Sequence, residues 1–259
     1  MYRLLTIPFS HYVEKARWGL DYFGQSYTES AYMPLLHFPA LWWATRKADA
    51  KGDSVSSSYS TPVLICGDDK RICDSSKILS YLDTEYGGQE RSLYSEPGCR
   101  EVEIDVHDTL GPHTRRLGYY HILDNGRVMA KMARNNVGTA QQWIFRASLP
   151  LGRIVMKKRF GIDDAGADES RAAVRKSFEH YSEILIDGRA FLCGDRFSVA
   201  DLSFACMAAP SLLINHDDGY GAYMPEMSDC PEAATRFATE LRETRAGEHA
   251  LAMFKNHRH

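Results

Sequence analysis

Apolar positions recur with two different periods in the first third of the chain. Arg3 to Ile7 reads as a short strand and is closed by Pro8, which cannot continue a ladder. Beyond it Tyr12, Ala16, Leu20 and Phe23 repeat at helical spacing. Glu14, Lys15 and Asp21 fall outside that face, and Gly24 stands where a helix stop is expected. Ser26 to Tyr32 suits a second strand, and the aromatic stretch Leu35 to Lys47 suits a helix carrying Trp42 and Trp43. Residues 48–60, rich in Ser, Gly and Asp, read as an exposed loop. Pro62 to Cys66, the turn Gly67-Asp68-Asp69 and Lys70 to Cys73 form a hairpin by length and turn chemistry. Asp74 then caps a helix with Ile78, Leu79, Leu82 and Tyr86 on one side, stopped by Gly87-Gly88. The predicted order over residues 1–88 is βαβαββα.

From about Glu96 the strand signals fade. Val174, Phe178, Tyr181 and Leu185 make a helical stripe ending before Gly188. Ser198 and Asp201 fit a capping box, and Phe197 with Leu202 a hydrophobic staple; a folding role for Asp201 is expected. Gly111-Pro112 is expected to kink or split the helix that contains it. The chain therefore divides into an α/β part, residues 1–88, and an all-α part, residues 97–259.

Composition narrows the choice of function. With 31 Lys+Arg against 34 Asp+Glu the formal charge is −3, so the basic excess wanted by nucleic-acid phosphates is missing. The N-terminal apolar run is too short for a signal peptide, and the most apolar long stretch, 197–214, contains Asp201, Ser203 and Pro210, so no membrane span is expected. Six cysteines without a CxxC pair predict reduced thiols in a cytoplasmic protein. There is no GxSxG, HExxH or P-loop, and no metal site is expected. His257 and His259 lie in what reads as a disordered terminus.

Four segments, in order, resemble the glutathione S-transferase superfamily. They are Pro8 to Trp18 at the first strand-to-helix turn, Ser60-Thr61-Pro62-Val63-Leu64, Asp74 to Leu79, and Phe191 to Asp201. The resemblance implies a thioredoxin-like N-terminal domain, a helical C-terminal domain, glutathione as co-substrate, a small apolar electrophile as second substrate, and a homodimer.

A thiol has a pKa of about 8.5 and attacks electrophiles well only as thiolate. Activating it needs a hydrogen-bond donor in positive potential. Ser10, between a strand end and a helix start, offers a hydroxyl beside the favourable end of the helix dipole. Its alternative role is a plain N-cap. Thr6 and Ile7 occupy the strand end where some relatives place a tyrosine, so the resemblance favours a serine-type site with Ser10 catalytic and Tyr12 as the next candidate. It gives Thr61, before a cis Pro62, the task of pairing with the cysteinyl backbone of glutathione. Asp74 and Ser75 would meet the γ-glutamyl ammonium and carboxylate. Tyr12, His113, Arg116 and Tyr120 are expected along the electrophile pocket, and Lys47 or Lys51 near the glycyl carboxylate. His11 adjoins Ser10, but adjacent helical residues do not face each other, so a Ser–His dyad is not expected. Rival readings are another glutathione-dependent enzyme (isomerase, lyase or peroxidase) and a non-catalytic binding module. A serine cannot form the mixed disulfide that thiol exchange requires.

Overall fold

The computed structural model describes residues 1–45, 60–67 and 70–258. Strand β1 (Tyr2–Thr6) leads into helix α1 (His11–Tyr22), then β2 (Tyr27–Ala31), α2 (Phe38–Thr45), β3 (Val63–Cys66), β4 (Lys70–Cys73) and α3 (Ser75–Tyr86). This is the predicted βαβαββα order. The sheet order is β2-β1-β3-β4, with β1 parallel to β2 and antiparallel to β3, and β3 antiparallel to β4. Successive side chains of a strand leave on opposite faces. Accordingly Leu4 and Leu64 pack with Val13, Ala16, Ile78 and Leu79 of α1 and α3. Leu5, Val63 and Ile65 pack with Leu41 and Ala44 of α2. Gly19 lets α1 approach α3 closely, since a Cβ there would lie 2.2 Å from the Leu79 side chain.

The rest is helical: α4 (Cys99–Asp105), a π-helical stretch (Val106–Leu110), α5 (Gly111–Ile122), α6 (Gly126–Asn136), α7 (Thr139–Phe160), α8 (Asp164–Ile184), α9 (Val199–Leu212), α10 (Glu232–Arg242) and α11 (Arg245–His257). Every residue of α9 is buried. Its N-terminus carries the expected capping box, and Asp201 does more than cap. It accepts from the Leu192 N–H at 2.8 Å and the Ser198 N–H at 3.0 Å, and it contacts His249 Nε2 at 3.1 Å. Gly111-Pro112 does not split its helix. The helix widens into the π stretch just before Pro112 and continues as α5, and the His107 carbonyl, five residues before the proline, accepts from the Tyr12 hydroxyl instead.

Three sequence expectations change. Glu14 and Lys15 are fully buried rather than outside, because α1 is covered on both flanks by partners distant in sequence. Lys15 Nζ pairs with Glu103 at 2.7 Å and donates to Ser76 Oγ at 2.8 Å. Glu14 is held by Arg258 at 2.8 Å and Arg17 at 3.1 Å. Tyr86 leaves the buried face of α3, and its hydroxyl meets that of Tyr2 at 2.7 Å near the surface. The C-terminal segment is docked rather than disordered. Trp18 Nε1 donates to the His257 carbonyl at 3.1 Å, and the His257 ring stacks on Phe197. The loop 48–59, Lys47, Lys51, the turn residues Asp68 and Asp69, and His259 lie outside the described residues. No described helix is long and apolar enough to cross a membrane.

Candidate active site

Sheet register assembles the first half of the site. Leu5 pairs with Val63, and Val63 with Cys73. The end of β1, the start of β3 and the end of β4 therefore meet at one edge, bringing Ser10, Thr61-Pro62 and Asp74-Ser75 together from three parts of the chain. The Thr61–Pro62 bond is cis. The Asp74 N–H donates to the Pro62 carbonyl at 3.3 Å.

Ser10 occupies the N-cap position of α1 with extended backbone, and its carbonyl accepts the first helical bond from Glu14 at 2.9 Å. Its hydroxyl makes no capping hydrogen bond. An N-cap serine ordinarily accepts from the second or third helical N–H; here that oxygen is left for other use, on the wall of a cavity. Asp74 does cap its helix. Its Oδ1 accepts from the Ser76 N–H at 2.8 Å and the Lys77 N–H at 3.4 Å, while Oδ2 faces His107 Nε2 at 3.5 Å. Asp74 has φ +81°, a conformation costing about 1–3 kcal/mol that is found where surroundings or function require it. Ser75 is buried, and its Oγ has no hydrogen-bond partner. Burial and the nearby Lys15 lower the pKa of His107, against the pull of Asp74.

A cavity of about 410 Å³ opens beside this edge. Ser10, His11, Tyr12 and Thr61 line it on the sheet side; Arg115, Tyr119, Met132, Met156, Arg159 and Phe160 belong to the helical side. Tyr12 lies on it as expected, but its hydroxyl donates to the His107 carbonyl at 3.1 Å, and burial raises its pKa to about 12. Gly111 makes that approach possible, since a Cβ there would stand 2.4 Å from the Tyr12 hydroxyl oxygen. The committed, weakly acidic Tyr12 is a poor alternative to Ser10. His11 is buried, and burial lowers its pKa well below the usual value, with Arg115 and His107 adding repulsion.

His113, Arg116 and Tyr120 do not line the cavity, and the expectation for them is corrected. They share one face of α5, which turns toward α8. His113 Nδ1 meets Ser170 Oγ at 3.1 Å. Arg116 donates to the carbonyls of Phe160 (2.9 Å) and Gly166 (3.2 Å) and to Glu169 (2.8 Å). Tyr120 donates to Asp164 at 2.7 Å. The residues one position earlier, Arg115 and Tyr119, face the cavity instead. The sequence reading also missed Arg159 and Phe160 of α7. A signal was present: no aspartate or glutamate occurs between Asp124 and Asp163, although the stretch carries eight Lys and Arg. Among the described residues no group of three or more His, Cys, Asp or Glu is placed to hold a metal ion.

A thioredoxin-like sheet unit joined to a helical unit, with a cavity between them at the sheet edge, defines the class of fold. Family comparison gives the same answer. Residues 4–90 match the glutathione S-transferase N-terminal domain and residues 164–225 the glutathione S-transferase C-terminal domain, together more than half of the chain. The chain belongs to the glutathione S-transferase superfamily. A search of curated proteins returned no match. Among solved structures, the fold is similar to the beta-etherase LigF from Sphingobium sp. strain SYK-6 (TM-score 0.56, 15% identity, 97% of this chain and 98% of that one). It is similar to Ure2p5 from Phanerochaete chrysosporium cocrystallized with 1-(S-glutathionyl)-2,4-dinitrobenzene (TM-score 0.55, 16% identity, 98% and 94%). A glutathione S-transferase from Methylobacillus flagellatus KT with glutathione bound is similar too (TM-score 0.51, 14% identity, 96% and 98%).

Proposed function

We propose that the protein is a glutathione transferase in which Ser10 stabilises the thiolate of bound glutathione for attack on an electrophile in the adjoining cavity. The carrying observation is Ser10, a cavity-lining residue at the start of α1 whose hydroxyl makes no capping bond. That oxygen is available to donate to sulfur, and the N-terminal N–H groups of α1 add positive potential. Membership of the superfamily supports glutathione as the thiol substrate. Thr61 offers its backbone to the cysteinyl unit. Ser75 Oγ, a buried donor without a partner, and the start of α3 suit the γ-glutamyl carboxylate, and Asp74 suits the ammonium group. In the reaction the thiol proton leaves to solvent, sulfur forms a bond to carbon, and the leaving group departs with its electron pair. A homodimer is part of the same reading.

One charge-assisted hydrogen bond supplies roughly 1.5–3 kcal/mol. Each pKa unit corresponds to about 1.4 kcal/mol, so Ser10 accounts for a depression of about one to two units. Thiolate absorbance of the glutathione complex, titrated in wild type and Ser10→Ala, tests this. The wild-type complex should titrate one to two units lower, and turnover at neutral pH should fall in the variant with little change in glutathione affinity. Identical titrations would remove Ser10 from the mechanism, and binding without any turnover of an aryl halide would identify a binding module. Ser10→Cys should lose conjugation and gain disulfide exchange.

A further inference from the structure

We infer that the second substrate is an anion, an apolar and preferably aromatic electrophile carrying a carboxylate or a similar small oxyanion, which the cavity holds through Arg115 with Arg159 beside it. This rests on the reading of the cavity as the electrophile site. Among the described residues that line the cavity there are two arginines and no aspartate or glutamate. Arg115 stands in contrast to its neighbour. Arg116 is bound up in hydrogen bonds to carbonyls and to Glu169. The Arg115 guanidinium lies against two aromatic rings, 4.6 Å from the Phe160 centroid and 5.8 Å from that of Tyr12. No described carboxylate pairs with it, and its Nε is buried without a hydrogen-bond partner. Arg159, an exposed residue at the rim, flanks the same Phe160 ring at 5.6 Å.

A half-buried guanidinium such as that of Arg115, with its Nε shut off from water, costs free energy unless its charge is matched. A carboxylate is the usual match, and two other arginines whose side chains are buried are so matched: Arg17 with Glu14 and Glu29, and Arg258 with Glu14 and Asp21. In the cavity the partner is left for the ligand. Arg is also the side chain best suited to grip a carboxylate by two parallel bonds while stacked on an aromatic face. The rest of the wall, including Phe9, Tyr119, Met132, Met156 and Phe160, accommodates an apolar body. Arg115, Arg159 and Phe160 all fall between the stretches matched by the two domain models. The selectivity is thus written in this chain's own segment rather than in the matched domains.

The test compares two aryl halides that undergo the same substitution, neutral 1-chloro-2,4-dinitrobenzene and anionic 4-chloro-3,5-dinitrobenzoate, at fixed saturating glutathione. In both, sulfur bonds to the ring carbon, chloride leaves with the electron pair and the thiol proton goes to buffer. The readout is the ratio of kcat/KM, anionic over neutral, in wild type, Arg115→Leu, Arg115→Lys and Arg159→Leu, each checked for an unchanged melting temperature. Arg115→Leu should lower the ratio roughly tenfold to a hundredfold, the range for a lost hydrogen bond to a charged group. Arg115→Lys should restore part of it, and Arg159→Leu should lower it less. An unchanged ratio overturns the proposal, whether both rates fall together (Arg115 then serving the thiolate) or the variant raises KM for glutathione alone. Calorimetric binding of the benzoate covers the case without turnover. If neither halide reacts but the benzoate binds in an Arg115-dependent way, the anion site stands and the transferase reading fails. If the halides react without Arg115 dependence, the transferase reading stands and the anion site fails. If nothing reacts and nothing binds, both fail.

Discussion

The two walls of the cavity are built by different physics. On the sheet side Ser10 and Thr61 line it, with Pro62, Asp74 and Ser75 next to them; all sit at places where the chain reverses or changes element, and hydrogen-bond register holds those places side by side. On the helical side, a residue's position depends on the rotation of α5 about its axis, which packing against α8 and α9 decides. A change of one residue in α5 turns a side chain by about 100°. That separates Arg116, buried in contacts to α8, from Arg115, which faces the cavity. A site at chain reversals is specified locally; a site on a helix face is specified by neighbours.

The comparison can be broken by experiment, and the largest effect is expected beneath the sheet-side wall. Lys15 and Glu103 are buried together, and removing one partner leaves the other uncompensated. Lys15→Met should destabilise the protein by about 3–5 kcal/mol, read as a shift in the denaturant midpoint. A change well below that range would mean the sheet-side wall does not depend on its link to α4.

Arg116→Ala tests the rotation of α5. It should lower stability by about 1–3 kcal/mol through lost charge-assisted hydrogen bonds and leave the anionic-to-neutral selectivity of the cavity intact. A collapse of that selectivity in electrophile kinetics would mean that Arg116, not Arg115, points inward in solution.

Asp74→Asn keeps a good N-cap residue and removes the charge. Glutathione affinity measured by calorimetry should weaken by about 1–3 kcal/mol, with the melting temperature nearly constant. Unchanged affinity would reduce Asp74 to a helix cap.

The smallest effect is a pH dependence. Burial holds the folded-state pKa of His11 well below its ordinary value, with His107 lowered as well. The unfolded chain therefore binds protons first on acidification, since a free histidine titrates near about 6.5. Stability from these neutral rings is present above that pH and is lost as pH falls below it. Melting temperature should drop between roughly pH 6.5 and 5, and His11→Asn should flatten that slope. An equal slope in the variant would place the proton uptake elsewhere.

Local chemistry explains how much was legible in the sequence. Pro8, the turn at Gly67, the Asp74 cap and the Ser198–Asp201 box each act within a few residues, so the βαβαββα order could be read directly, while the five sheet-side positions followed from the family resemblance. The charges of α1 could not. Glu14 and Lys15 look like solvent-facing residues, and their burial depends on Arg258 and Glu103, far along the chain. Asp201 looked like a cap, yet Leu192 and His249 also depend on it.

The sequence by itself determined the elements and their order, because propensity, capping and turn chemistry are short-range. Tertiary structure alone decided which face of α5 meets the cavity and that Arg159 and Phe160 of α7 close its far side. It also decided that, among the described residues, no carboxylate pairs with the guanidinium of Arg115, which lies against the Tyr12 and Phe160 rings. Helix rotation and charge pairing are properties of assembled neighbours, and no stretch of chain contains its own neighbours.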